Sequence, residues 1–352
     1  MTYTATLNSI NQEFVVHDNE TILEAALRTG ISLNYGCSGG TCGLCQAKLL
    51  SGKIVEIRPH EFVMPEADKL QGNFLACACT LEEDSVIDAI TAENAHDIPV
   101  QEIEVKVRKV EKIAKDVNKI IIQTPRTKRL RFLAGQYIKL IISDTEACEF
   151  SIASCPCEDR LIELHVRSGR EEISQRIAGH LRTGDTLNIV GPYGGFVFDE
   201  QAERPVILFA FDTGFAAIKS LLEHITAQEE ETSIHLIWMS CNNDGLYMNN
   251  LCRSWTDAFD HFRYTGIVLN QALSELASKP STSIELMESQ MKKVIGVYDD
   301  LSAFDVYASA PLPVIKLFKE ICIGNNLLLG RFFEEPARGY EDVSCIVGFE
   351  NN

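Results

Sequence analysis

The chain has 352 residues, 45% of them hydrophobic and 23% charged, with a formal net charge of −18. That length asks for two or three domains, and the composition is that of an ordinary globular protein. The charge excludes a nucleic-acid role, which needs clustered Lys and Arg to neutralise phosphates; it suits solubility, or an acidic face that steers a basic partner protein.

No run approaches the roughly 18–20 uncharged apolar residues of a membrane helix. The opening "MTYTATLNSINQEF" has neither the basic nor the apolar region of a signal peptide. A cytoplasmic protein is expected. Twelve cysteines in such a chain argue against a disulfide framework.

The first segment reads as a compact α+β unit. "YTATLNSINQEFVVH" offers two alternating runs about a polar turn, as in a hairpin. "TILEAALRTGI" reads as a helix with Thr21 and Glu24 as a capping box and Gly30 as the stop. Leu23, Ala26 and Leu27 give it one apolar face.

Next comes "YGCSGGTCGLCQAKLLSG", with Cys37, Cys42 and Cys45 in a C-x4-C-x2-C arrangement and a long gap to Cys77. This is the plant-type spacing for a [2Fe-2S] cluster, which needs four thiolates. Zinc prefers two C-x2-C pairs, and only Cys42 and Cys45 form one. The intervening Ser38, Gly39, Gly40, Thr41 and Gly43 suit a backbone that turns tightly and aims N–H groups at sulfur. Cys77 and Cys79, in "FLACACT", compete for the fourth ligand, and spacing leaves that choice open.

"AENAHDIPVQ" reads as a linker. Short strand-like runs then dominate from 102 to 199: "EIEVKVRKVEKI", "NKIIIQT", "QYIKLIIS", "LIELHVR" and "DTLNIVG", interrupted by a helical patch, "EISQRIAGHLRTG". They predict an antiparallel β-barrel. After "ERP" the runs "VILFAF", "SIHLIWMS", "YTGIVL" and "FDVYAS" alternate with helical stretches such as "GFAAIKSLLEHITAQ" and "LPVIKLFKEICIG". That alternation predicts an α/β domain with a parallel sheet. The remaining cysteines (Cys148, Cys155, Cys157, Cys241, Cys252, Cys322, Cys345) read as buried thiols, and the Cys155-Pro156-Cys157 pair has no second pair nearby to complete a metal site.

The cysteine loop followed by "FLACACT" resembles the N-terminal ferredoxin domain of bacterial oxygenase reductases, and the resemblance runs through nearly the whole chain. It implies a multidomain fold: a β-grasp ferredoxin domain over 1–95, an antiparallel β-barrel flavin domain over 102–199, an α/β parallel-sheet nucleotide domain over 203–335, and a tail over 336–352. It selects Cys77 as the fourth ligand and leaves Cys79 a bystander. "RFLAGQYIKL" is similar to the family's G-Q-Y segment, through Gly135, Gln136 and Tyr137. "FSIAS" is similar to the flavin motif R-x-Y-S-x-x-S, which implies that Phe150, Ser151 and Ser154 line FAD. "SGREEIS" stands where a second flavin segment contributes Ser174. Phe211-Asp212-Thr213-Gly214 stands where the family has G-G-T-G, so Thr213 and Gly214 fall on the nucleotide site.

The departures carry their own expectations. Cys148 occupies the place of the motif's phosphate-pairing Arg, a loss worth about 1.5–3 kcal/mol, or roughly ten- to hundredfold in affinity; Arg167 and Arg170 are the candidate substitutes. Glu171 and Glu172 suit a helix N-terminus but repel a pyrophosphate there. In the nucleotide turn Phe211 and Asp212 supply bulk and negative charge where a dinucleotide needs glycine. Met239 and Cys241 replace a Gly and an Arg, and Ser309 and Ala310 the Cys-Gly of C-G-P. Two readings follow. The first is an oxidoreductase passing electrons from NAD(P)H through FAD and the [2Fe-2S] cluster to a redox partner, an oxygenase. The second is a degenerate reductase that no longer takes NAD(P)H and acts as an iron-sulfur carrier or accessory subunit.

Overall fold

The computed structural model describes residues 2–337 apart from 93, 144–145, 159, 169–176, 178, 180, 229–231, 242 and 270–279. The helical patch expected over 172–184, Ser174, Arg170 and the tail beyond 337 therefore lie wholly or mainly outside the described residues.

The predicted N-terminal hairpin is present: β1 (Tyr3–Leu7) pairs antiparallel with β2 (Gln12–Val16), Ala5 opposite Phe14. Beside β1 run β7 (Ser85–Ala89), then β3 (Gln46–Ser51) and β5 (Asn73–Leu75), in the order β2-β1-β7-β3-β5. The β1–β7 pair is parallel and the others antiparallel. Helix α1 (Ile22–Arg28) starts at the expected capping box: Thr21 Oγ1 accepts from the Glu24 N–H at 3.2 Å, and the Thr21 N–H donates to Glu24 Oε2 at 3.1 Å. The helix buries Ile22 and Ala25 along with the predicted face. It is wrapped more fully than a surface stripe requires, against a core containing Leu7, Phe14 and Ile87.

A second sheet is antiparallel throughout. It comprises β8 (Gln101–Lys112), β9 (Val117–Gln123), β10 (Tyr137–Ser143), β11 (Glu146–Ser151), β12 (Leu161–Arg167) and β13 (Thr186–Tyr193), ordered β11-β10-β13-β8-β9-β12. Alternate residues such as Ile103, Val105 and Val107 turn inward, the period-2 pattern of a strand with one buried face.

The third sheet is parallel: β14 (Val206–Phe211), β15 (Ile234–Ser240), β16 (Phe262–Val268), β17 (Asp305–Ala310) and β18 (Phe332–Pro336), ordered β16-β15-β14-β17-β18. β14, β15 and β17 are buried at every position, because helices cover both faces. Val206, Leu208 and Ala210 face the side of α3 (Phe215–Ala227), where Phe215 stacks on Trp238 at 3.8 Å. Ile207, Phe209 and Phe211 face α5 (Pro280–Ile295) and α6 (Leu312–Gly324), where Phe209 stacks on Phe318 at 4.0 Å. A short helix α2 (Glu66–Leu70) and helix α4 (Asn249–Ala258) are also present and, like α5, have no counterpart among the helical stretches named from the sequence.

A candidate cluster cradle joined to a flavin and nucleotide cleft

The cysteine loop has the chemistry of an all-thiolate centre. Cys37, Cys45 and Cys77 are buried and Cys42 is exposed. Cys45 and Cys77 bring their sulfurs to 3.2 Å, although thirty-two positions separate them in sequence. The N–H groups of Thr41 and Cys42 donate to Cys37 Sγ at 3.3 and 3.4 Å. Burial would raise the Cys37 thiol, but hydrogen bonds from the Thr41 side chain and from surrounding backbone N–H groups outweigh it and hold it at about 6. The Cys45 thiol is lowered, first by its Cys77 partner, while Cys77 is raised by the same bond and by burial. Burial also raises Cys42.

Cys79, two residues on, sits on the short strand β6 (Cys79–Leu81), paired antiparallel with β4 (Ile54–Glu56), and is pushed up to about 12 by burial and by Glu56. It stays a protonated thiol. Gly40 and Gly43 adopt φ +75 and +74, and a Cβ on Gly43 would collide with the Phe62 ring. Four sulfurs, N–H groups directed at one of them and a left-handed backbone are what a [2Fe-2S] cluster needs, so the donor set fits it.

The loop leans on the second sheet. The Arg129 N–H donates to the Gly36 carbonyl at 2.8 Å, and Arg129 Nε donates to Ser38 Oγ at 3.2 Å. Arg131 donates to Asn34 Oδ1, whose own amide donates to the Leu44 carbonyl at 3.1 Å. Sequence reasoning missed both arginines. Their signal was the basic run "RTKRLRF" in a strongly acidic chain.

The residues matched to the flavin motifs gather at one end of β10, β11 and β13. Tyr137 lies opposite Ser151 on one side and Tyr193 on the other, and the two tyrosine rings sit 5.5 Å apart. Gln136 is buried and spans the turn: its amide donates to the Gly194 carbonyl at 3.0 Å, and its oxygen accepts from the Leu133 N–H at 2.8 Å. Phe150 lies in the core of the sheet. Ser154 Oγ accepts from the Glu163 N–H at 3.2 Å. An aromatic pair beside the buried Ser151 hydroxyl fits a flavin, which wants apolar contact for its ring and donors for its phosphates. Arg167, offered above as a substitute phosphate ligand, is engaged elsewhere: it pairs with Asp116 and with Asp212.

That pairing revises the reading of the nucleotide turn. Asp212 takes φ +54, the left-handed region that the family's glycine would supply and that Asp tolerates better than most residues. Its charge meets the Arg167 guanidinium, and its carbonyl accepts from Trp238 Nε1 at 3.0 Å. Phe211 does not crowd the site, because strand alternation sends its ring into the core on the α6 side, together with Met239 and Cys241. Thr213 is half-buried at the turn, and Gly214 is buried against the Ser309 carbonyl of β17. The bulk and uncompensated charge expected here are therefore absent.

A buried polar network joins the second sheet to helix α3 of the third-sheet unit. Lys219 of α3 donates to the Ala153 carbonyl at 3.0 Å and pairs with Glu163 at 3.4 Å and Glu223 at 2.6 Å. Ser220 Oγ donates to the Ser154 carbonyl at 2.7 Å and accepts from the Gly135 N–H at 3.3 Å. Burial would raise the Glu163 carboxyl, but the His165 hydrogen bond and the Lys219 charge hold it at about 2. His165, fully enclosed, is lowered by burial, and burial drives the Tyr247 hydroxyl well up. A neutral imidazole then donates to Glu163 at 2.7 Å and accepts from Tyr247 Oη at 2.9 Å. Glu163–His165 and Lys219–Glu223 are local pairs within β12 and α3, whereas the contacts that cross between elements, such as Lys219 with Glu163 and His165 with Tyr247, are not visible in sequence.

Two of the expected buried thiols are instead bonded to each other: Cys155 and Cys157 form a disulfide. Cys241, Cys252 and Cys322 are buried and outside any disulfide, and Cys148 is half-buried.

The sequence matches the 2Fe-2S iron-sulfur cluster binding domain over residues 5–82 and the oxidoreductase FAD-binding domain over residues 104–198. It is 31% identical over 283 residues to the Comamonas terephthalate 1,2-dioxygenase reductase component 2, covering 77% of this chain and 82% of that protein. It is 29% identical over 323 residues to the CDP-6-deoxy-L-threo-D-glycero-4-hexulose-3-dehydrase reductase of Yersinia pestis, covering 92% and 94%. The fold is shared with a crystal structure of an Amycolatopsis cytochrome P450 reductase, at TM-score 0.58 and 20% identity over 95% of this chain and 98% of that one. With both domain matches and a relative 31% identical over most of both chains, the chain belongs to the iron-sulfur flavoprotein family of the bacterial oxygenase reductases.

Proposed function

We propose that this protein is the reductase component of an oxygenase system, taking electrons from NAD(P)H and delivering them singly to a protein partner. FAD when bound supplies the conversion of a hydride pair into single electrons, which the cluster accepts one at a time. Cys37, Cys42, Cys45 and Cys77 hold the cluster. Tyr137, Ser151 and Ser154, backed by Phe150 and shaped by Gln136, hold the flavin, with Ser174 assigned to it by resemblance. Thr213 and Gly214 receive the dinucleotide. Cytoplasmic residence belongs to the same reading; no described helix is long and apolar enough to cross a membrane.

The chain divides in this reading into a β-grasp unit over 1–95, a barrel over 102–199 and a nucleotide unit over 203–335. The Ile152–Leu164 bridge, which links the residue after β11 to the middle of β12, the two outer strands of the second sheet, supports the barrel. One observation carries the proposal: the cluster loop is hydrogen-bonded directly to the segment leading into the flavin strands, through Arg129. The carrier-only reading rests on several departures together, at Cys148, Phe211 and Asp212, Met239 and Cys241, and Ser309 and Ala310; the Arg167–Asp212 pair answers the part of it that concerns charge at the turn.

The test is anaerobic addition of NADH or NADPH to the purified holoprotein. Bleaching of flavin and then cluster bands within seconds is expected. A reduced spectrum obtained with dithionite but with neither nucleotide would return the protein to the carrier reading.

A further inference from the structure

We propose that the Cys155–Cys157 disulfide is a thiol-exchange site that a dithiol reductant opens and closes in the folded protein. The pair directly follows Ser154, at the turn leaving the flavin motif, where Pro156 is the single residue between the sulfurs. A bond across so short a loop constrains the unfolded chain very little, so stabilisation does not account for it. The two sulfurs differ in a way that sets the direction of attack. Cys155 is 3% exposed, whereas Cys157 is half-exposed and followed by the exposed Glu158. The Cys157 N–H donates to Cys155 Sγ at 3.2 Å, a contact that stabilises a thiolate there.

An incoming thiolate attacks Cys157 Sγ, the S–S bond breaks, and Cys155 leaves as the thiolate held by that N–H. The second thiol of the reductant then displaces Cys157. The reductant ends as a disulfide, and two electrons and two protons pass to Cys155 and Cys157. The site is tied to the nucleotide-side helix, because the Cys155 N–H donates to Glu223 Oε2 at 3.2 Å, and Glu223 pairs with Lys219 at 2.6 Å.

The experiment uses the full-length holoprotein, dithiothreitol as the dithiol, and maleimide labelling read by peptide mass. In the air-equilibrated native protein both cysteines are expected to be unlabelled and their peptide two hydrogens lighter. After dithiothreitol treatment without denaturant, both are expected to label. Glutathione disulfide should then modify Cys157 in Cys155→Ser, and Cys155 in Cys157→Ser about tenfold more slowly. Labelling of both residues in the untreated native protein, opening by dithiothreitol only after denaturation, or equal modification of the two variants would overturn the assignment. Cluster and flavin absorbance reports whether each variant is folded. The wild-type labelling decides the matter by itself if a variant is not.

Discussion

Arg167, at the end of β12, clamps Asp212, the first residue of the nucleotide turn, while its other amino group holds Asp116. The Asp212 side chain is only 5% exposed, and taking the Arg167 charge away from a buried carboxylate costs about 3–5 kcal/mol. Arg167→Leu should therefore lose about 3 kcal/mol in urea unfolding, and adding Asp212→Asn should restore more than half of it. An unchanged midpoint in Arg167→Leu would sink the idea that this pair holds the turn.

Position supports the proposal of Cys77 as the fourth cluster ligand. Cys77 Sγ lies 3.2 Å from Cys45 Sγ, whereas Cys79 is a thiol pushed up to about 12. Cys77→Ser should abolish the visible cluster bands and the paramagnetic signal of the dithionite-reduced protein, and Cys79→Ser should keep both. A normal spectrum from Cys77→Ser would refute the choice.

Gly43 combines φ +74 with a neighbouring Phe62 ring that leaves no space for a Cβ. Gly43→Ala forces a left-handed L-residue, at about 1–2 kcal/mol, together with a clash. Iron content per chain should fall by more than half, with the flavin bands retained. Full iron loading in this variant would show that the loop yields.

His235 gives the fold an acid limit. Burial and then Arg263 lower its imidazole to about 4 from the usual 6.5, with Tyr298 Oη at 2.7 Å and Thr265 Oγ1 at 2.8 Å around it. Below pH 6.5 the unfolded chain takes up a proton that the folded one refuses, so stability declines as pH falls toward 4. At ~1.4 kcal/mol per pH unit this amounts to about 3 kcal/mol. Unfolding free energies measured across that window should decline less steeply in His235→Gln, by that amount. Parallel curves for the two proteins would contradict it.

Local signals in the sequence were reliable. The Thr21–Glu24 capping box, the alternating strands and the C-x4-C-x2-C loop all encode their structure within a few residues, where spacing and periodicity are enough. What escaped were long-range compensations. Asp212 read as a negative charge placed where a dinucleotide needs glycine, and its partner Arg167 lies forty-five positions away. Phe211 read as bulk in the site because its side of the strand depends on which helix covers that face. The Cys155–Cys157 bond escaped because a pair that close in sequence looks the same whether bonded or merely buried.

The hydrogen bonds from Arg129 to Gly36 and Ser38 tie the cysteine loop to the segment that leads into the flavin strands. At about 1 kcal/mol each, both are given up by a loop that leaves this position. In the proposed reductase the loop meets an acceptor where it stands, presenting Cys42 and the half-exposed Leu44, and the acidity of the chain favours visitors of opposite charge.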